Sequence, residues 1–450
     1  MGRPSIRSLA GGAAGIAAGI IAGIGLSSIS TASPSLPSPP RFVDAAHVPP
    51  VLTLPGEPIR LRFAVVCTPR NDGEPCHGSG DVYVRAGQTG TFGRLALRRS
   101  EDSKDGRYYV DLPEEIGSSP DGFSYYAVLR DDETGATLTV PSGGAAAPQR
   151  SLQLRAPAAV TLGAHVFGHP RAADARVVEA RWGSAPQDVG LAGSRERGFT
   201  GPSAFDVEPD GTVDVLDQVN GRVSRWTRVR HSLVPIGVDD GLADFAVEAD
   251  GSYDVLEPTG TLRSFRADGS PKWSQTLSDR TWSKLGRGPS GPAVQQQPSE
   301  QWMPAAEEGR PLTRSAQARA GRPGKPVGDG REVIVERVGE SELRVAETVG
   351  NSPLRSWRIT SATSLGEVQL AEPQADRIVL VAKTYTDERD EFLVLVLDAK
   401  GLAHEFSVAA TAWAEAAPLA RFRLAGSSLY RLGSTPAGAF VDRFELEVPR

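Results

Sequence analysis

The chain has 450 residues, 39% hydrophobic and 23% charged, which allows two or three domains with cores of their own and excludes a fully disordered polymer. A net charge of −6 argues against a general nucleic-acid binder, because such a protein needs a basic surface to displace counterions. The excess of arginine over lysine, with 49 Gly and 35 Pro, suggests a high-GC bacterial coding history.

Residues 1–32 read as an export signal. Arg3 and Arg7 precede an apolar run from Leu9 to Ile29, and Ser30 and Ala32 supply the small residues of a cleavage site. An uncleaved anchor is the rival reading, because a run of about 20 residues can span a bilayer. Gly11, Gly15, Gly19 and Gly23 also recur at a helix-pairing interval. Either way the body of the protein is expected outside the cytoplasm, secreted or membrane-anchored. Residues 33–40 form a Pro/Ser tether.

From 41 to 155 short stretches alternate apolar and polar residues. Examples are Leu61-Arg62-Phe63-Ala64-Val65, Tyr108-Tyr109-Val110 and Phe123-Ser124-Tyr125-Tyr126-Ala127. Period two predicts half-buried strands, and Asp105-Gly106 and Asp121-Gly122 mark turns between them. About seven such strands in this length predict a β-sandwich. The stretch Gly122–Leu129 resembles a late strand of immunoglobulin-like or fibronectin-III-like domains. Cys67 and Cys76 are the only cysteines, and behind an export signal they are expected to form a disulfide. A loop so short would contribute ~2.5–3 kcal/mol if unstrained.

The region 158–450 contains an internal repeat. Residues 204–217 (AFDVEPDGTVDVLD) and 244–257 (DFAVEADGSYDVLE) agree at eight of fourteen positions at an offset of 40. The pairs include Glu208/Glu248, Asp210/Asp250, Gly211/Gly251 and Asp214/Asp254. The following strand recurs after one deletion, Gly221–Trp226 matching Gly260–Phe265. A strand–turn–strand–turn–strand unit at this period predicts propeller blades. Asp217 and Asn220-Gly221-Arg222-Val223 carry a likeness to NHL-type propeller repeats. The clear match covers about 201–269. At about 40–45 residues per blade, the region allows about six. Residues 286–330, rich in Gly, Pro and Gln, are expected as a flexible insertion.

Motifs for chemistry are sparse. There is no Gly-x-Ser-x-Gly elbow and no P-loop, and Gly286–Gly291 matches a dinucleotide-binding spacing without a βαβ context. His165 and His169 stand four apart but with Gly168 and Pro170 against a helix. Asp210, Asp217, Asp250 and Glu257 recur with the blade and are expected at turns and strand ends. No catalytic set, metal site or cofactor is therefore expected. The candidates for a propeller-face site are His231 and His404, as histidines of the repeat region, and Trp302, expected to be exposed in the loop segment.

The leading expectation is an all-β, secreted or surface-exposed binding or scaffold protein, not an enzyme. Its partner would be a protein, peptide or glycan. Nucleic acid is not expected, and membrane only if the N-terminal segment stays uncleaved. The alternative is a propeller lyase or hydrolase, possibly metal-assisted. Streptogramin lyases, which resemble NHL propellers, use a histidine and magnesium near the channel. No motif here allows those residues to be carried over.

Overall fold

The computed structural model describes residues 42–67, 77–100, 107–239, 241–277, 282–288, 290–296, 301–307, 309–313, 323–350, 352–410, 412–417 and 420–446. The expected export signal, the tether and Cys76 lie outside the described residues, so the expected Cys67–Cys76 bridge does too. Among the described residues no helix is long and apolar enough to cross a membrane.

Nearly all of the structure is β. In the N-terminal part a four-stranded sheet and a six-stranded sheet share one core. The alternation read from the sequence places Leu61, Phe63, Val82, Val84, Phe123, Tyr125 and Leu129 in that core, while most of their strand neighbours are less buried, the buried Ser124 excepted. This part is fastened to the remainder by a small apolar cluster (Val51, Leu52, Leu152, Leu154, Ile334 and Ala346). Arg344 is buried there and reaches Glu57 at 2.7 Å and the Leu52 carbonyl at 2.8 Å.

The remainder is a series of antiparallel meanders. The first sheet comprises Ala204–Val207, Val213–Asp217, Arg222–Trp226 and His231–Pro235. The second comprises Asp244–Val247, Tyr253–Leu256, Thr261–Phe265 and Pro271–Thr276. The third has three strands: Trp282–Gly288, Gly291–Gln296 and Gln301–Pro304. The fourth runs from Lys325–Gly328 to Ser352–Ser361, and the fifth from Ser364–Gln374 to Gly401–Ala409. The sixth begins with Phe422–Ala425 and ends with Gly438–Glu445.

The first strand of each sheet is the inner one. Ala204–Val207 packs against Asp244–Val247, which packs against Trp282–Gly288, which packs against Lys325–Gly328. Beyond the fourth and fifth sheets, Phe422–Ala425 packs back onto Ala204–Val207. Two strands from the start of the region complete later sheets. Ala175–Arg181 pairs antiparallel with Gly438–Glu445. Ala158–Leu162 pairs in parallel with Ser352–Ser361. The arrangement is a β-propeller whose first and last segments are hydrogen-bonded together, which leaves no free edge where the circle closes.

The stretch 286–330 corrects the sequence reading. Its described residues supply most of the third sheet and the first strand of the fourth, so these are built into the ring instead of standing outside it as a flexible insertion. Its glycines reflect close packing: a Cβ on Gly286 would sit 3.0 Å from both the Trp302 ring and Lys325. Trp302 is correspondingly buried at 6% exposure, not exposed as expected.

Candidate functional site

The three residues singled out from sequence do not converge. His231 lies on the outer strand of the first sheet, with its ring 4.1 Å from Trp226 and its Nε2 2.8 Å from the Ser224 hydroxyl. Burial, aided by Arg222, lowers its pKa. His404 lies on the outer strand of the fifth sheet beside Phe406. Trp302 packs in the third sheet, with the Lys325 ammonium 5.8 Å from its ring centroid. His165 instead pairs with Glu391 at 2.9 Å, and His169 is exposed.

Two cavities gather chemistry where no single motif announced it. The first, about 300 Å³, is lined by the inner strands of all these sheets, from Asp206 and Phe245 through Lys284–Gly288, Lys325 and Glu372 to Arg423. It is the channel of the propeller. Charges of both signs meet in it. Arg423 donates to Asp244 at 2.7 Å, Arg287 pairs with Asp206, and Lys325 pairs with Glu372. Asp206 and Asp244 also latch neighbouring sheets together, accepting the backbone N–H of Val247 at 2.8 Å and of Leu285 at 2.7 Å. Lys284 is the exception. It is 9% exposed and donates to the Gln369 carbonyl at 2.6 Å. Among the described residues no carboxylate lies within ion-pair reach of it.

The second cavity, about 530 Å³, is a cleft at the turns that follow the inner strands of the first three sheets. Glu208, Glu248, Asp250, Asp254, Lys272, Trp273 and Arg287 contribute to its walls. Arg287 and Gly288 belong to both cavities, so the cleft adjoins the channel. The turns themselves are built alike. The Asp210 carboxylate accepts the Thr212 N–H at 2.9 Å, and the Asp250 carboxylate accepts the Ser252 N–H at 2.9 Å. Gly211 and Gly251 take φ of 85° and 78°, a region that suits glycine.

Two carboxyl pairs recur behind these turns, one per copy of the repeat. In the first sheet Asp214 stands directly opposite Arg225, which also pairs with Glu208. In the second sheet Asp254 stands opposite Ser264, so the cation of the first copy is replaced by a hydroxyl. Burial raises the Asp254 pKa to about 8, Ser264 hydrogen bonding opposes this, and the Glu248 charge and hydrogen bond add to it. Burial also raises Glu248. Both carboxyl groups are therefore held above the usual carboxylate range. Asp254 Oδ1 and Glu248 Oε1 are buried without a donor. Lys272 of the same sheet lines the cleft and draws Asp254 down, but the position opposite Asp254 carries no cation.

Sequence comparison of the copies contained this difference, because Arg225 aligns with Ser264. Its meaning depended on cross-strand register, which places that position against Asp214 or Asp254. By contrast, Asp217 is spent on structure: it accepts Gly190 N–H at 2.8 Å, Asn220 at 2.8 Å and Arg222 at 2.9 Å. Glu257 likewise holds Arg263 at 2.9 Å.

No protein-family model matches the chain, and no curated protein matches it. Among solved structures, a streptogramin B lyase is 10% identical, with 54% of this chain and 92% of that chain covered and a TM-score of 0.30. BamB from Moraxella catarrhalis is 12% identical, with 57% and 86% covered and a TM-score of 0.31. YCF48 from Cyanidioschyzon merolae is 11% identical, with 53% and 81% covered and a TM-score of 0.30. These neighbours are β-propeller proteins. Likeness at this level does not extend to activity or partner, and the propeller assignment here rests on the sheets and their packing.

Proposed function

We propose that the protein is an exported binding protein whose cleft takes a cationic side chain, amine or guanidinium, of a peptide or protein partner. The carrying observation is the Glu248–Asp254 pair, Asp254 buried and Glu248 half-buried, with no cation opposite Asp254 in its sheet, opening into a cleft of about 530 Å³ that Lys272 also lines. A ligand cation would supply the donors that these oxygens lack, and charge-assisted hydrogen bonds to carboxylates are the stronger kind. Trp273 lines the same cleft and offers an aromatic face to an alkyl-guanidinium or alkyl-ammonium stem.

In this reading residues 1–32 direct export, 41–155 form an immunoglobulin-like β-sandwich, Cys67 and Cys76 are bridged, and 158–450 form an NHL-type propeller of six blades. The body is secreted, or held outside the cytoplasm by an uncleaved N-terminal segment. Sequencing the mature N-terminus tests this part: a start at Ser33 supports cleavage, and retention of residues 1–32 supports the anchor.

Binding is tested by titrating a short arginine-containing peptide and its citrulline analogue into the mature protein. The arginine peptide is expected to bind at least about tenfold more tightly, a difference of about 1.4 kcal/mol. Ser264→Arg, which restores the cation of the first copy, is expected to abolish that preference. Equal binding of both peptides, or an unchanged preference in Ser264→Arg, would remove the proposal.

A second reading has one observation behind it. Two carboxyl groups in one cleft, both raised above the usual carboxylate range, could serve as general acid and base in a hydrolase or lyase. Turnover of a glycan, peptide or lactone in a broad substrate screen, lost in Asp254→Asn, would favour it over binding alone.

A further inference from the structure

We infer that the propeller channel is a carboxylate-binding site, with Lys284 as its anchor and Lys325 and Arg423 as flanking cations. This site adjoins the cleft, with Arg287 and Gly288 common to both, but does not depend on what the cleft binds.

The charge balance of the channel leads to it. Lys284, Arg287, Lys325 and Arg423 face Asp206, Asp244 and Glu372, four cations against three anions. Each carboxylate is engaged by another cation: Asp206 by Arg287, Asp244 by Arg423 and Glu372 by Lys325. Lys284 is left with one carbonyl acceptor at 2.6 Å, although an ammonium has three N–H donors. A buried polar group is normally satisfied, and a buried charge is normally paired. The channel provides about 300 Å³ beside this amine, room for a small carboxylate or for the carboxylate end of a chain.

The electrostatics agree in sign. Burial, reinforced by Lys325 and Arg423 and opposed by Glu372 and Asp244, lowers the Lys284 pKa to about 7. A carboxylate beside it would favour the charged amine, so binding and protonation should be linked. Arg287 and Asp206 complete the charged groups facing the channel.

The test is a ligand-observed NMR titration of the mature protein with sodium acetate and sodium succinate, against sodium chloride at equal ionic strength. A second arm uses N-acetyl-trialanine with a free C-terminus and the same peptide as its C-terminal amide. Saturable binding at pH 6 that weakens about tenfold or more by pH 9 is expected. If acetate or succinate binds, the source is a small carboxylate. If only the free-acid peptide binds, it is a chain terminus.

Lys284→Met is expected to reduce binding at least about tenfold while keeping the fold, since it retains the volume and removes the buried charge. Glu372→Gln releases Lys325 and is expected to tighten binding several-fold, an outcome that a merely destabilised protein would not give. The inference is overturned if no carboxylate binds saturably, if affinity is the same at pH 6 and pH 9, or if Lys284→Met binds as the wild type does. It is equally overturned if Glu372→Gln folds and leaves affinity unchanged.

Discussion

The first and second propeller sheets are near copies, and they set different residues opposite the same buried acid, Arg225 in one and Ser264 in the other. Both carry a turn glutamate, Glu208 or Glu248, and a mid-strand aspartate, Asp214 or Asp254, behind an identical Asp-Gly turn. Both aspartates are almost fully buried. The first sheet sets Arg225 against its pair, and Arg225 also reaches the Tyr253 hydroxyl at 3.4 Å in the second sheet. The second sheet sets Ser264 there and leaves its pair facing the cleft. Shared residues make the blade, whereas the residue that differs changes the charge set against its buried acid.

The largest expected effect comes from removing the cation of the first copy. Arg225→Ala leaves Glu208 and Asp214 without their neutralising partner, and stability should fall by about 2–3 kcal/mol. Urea denaturation of the variant and wild type measures this. Ser264→Ala in the second sheet, where no ion pair is lost, should cost about 1 kcal/mol or less. Equal losses at the two positions would show that Arg225 does not distinguish the copies energetically.

A second expectation concerns pH. Burial is the main cause that raises both Asp214 and Asp254 to about 8, above the usual carboxylate range. The folded state then binds more protons than the unfolded chain between about pH 4 and pH 8. The stabilisation from these groups is complete below about pH 4 and is lost as the pH rises through about 8. Each group contributes a slope of at most about 1.4 kcal/mol per pH unit. Asp254→Asn should remove roughly half of the combined slope, and Asp214→Asn with Asp254→Asn most of it. Stability curves from pH 5 to pH 8 that are parallel in wild type and Asp254→Asn would contradict the raised Asp254 pKa.

How much of this was legible depends on where the information lies. The repeat was legible because Phe205/Phe245, Asp210/Asp250 and Gly211/Gly251 are local requirements of strand and turn, identical in sequence wherever the geometry is identical. The alternation of the N-terminal part likewise predicted Leu61, Phe63 and Val82 as core residues. The site was legible only as a difference, Arg225 against Ser264, whose consequence needed the register opposite Asp214 and Asp254. The channel was not legible. Lys284 stands just before the Gly-, Pro- and Gln-rich stretch that resembles a loop, and its surroundings come from strands far away in sequence. Trp302 was misjudged for the same reason: glycine marks a loop in sequence, but at Gly286 it makes room for that ring.

A smaller effect sharpens the comparison from the binding side. Ser264→Arg should make the second sheet resemble the first, adding about 1 kcal/mol of stability at pH 8, where the acid pair is least protonated. At pH 5, where Asp254 is protonated, the gain should shrink. Thermal melts at the two pH values check it. A gain independent of pH would assign the effect to packing and not to the acid pair.

The smallest expected difference is found where the two copies agree. Gly211 and Gly251 both hold positive φ, 85° and 78°, and both donate their backbone N–H to the turn glutamate carbonyl at 2.9 Å. A Cβ would meet nothing within 4 Å at Gly211 and only Ala267, at 3.6 Å, at Gly251. Space is therefore not the constraint at either turn, and the cost of alanine is the backbone conformation itself, about 1 kcal/mol each. Gly211→Ala and Gly251→Ala should destabilise equally to within about 0.5 kcal/mol. Because the two added Cβ atoms would meet no neighbour in common, the double variant should show the sum. A markedly larger loss at Gly251 would mean that the second turn is held under load by the cleft, and that the copies diverge in the turn as well as at Arg225 and Ser264.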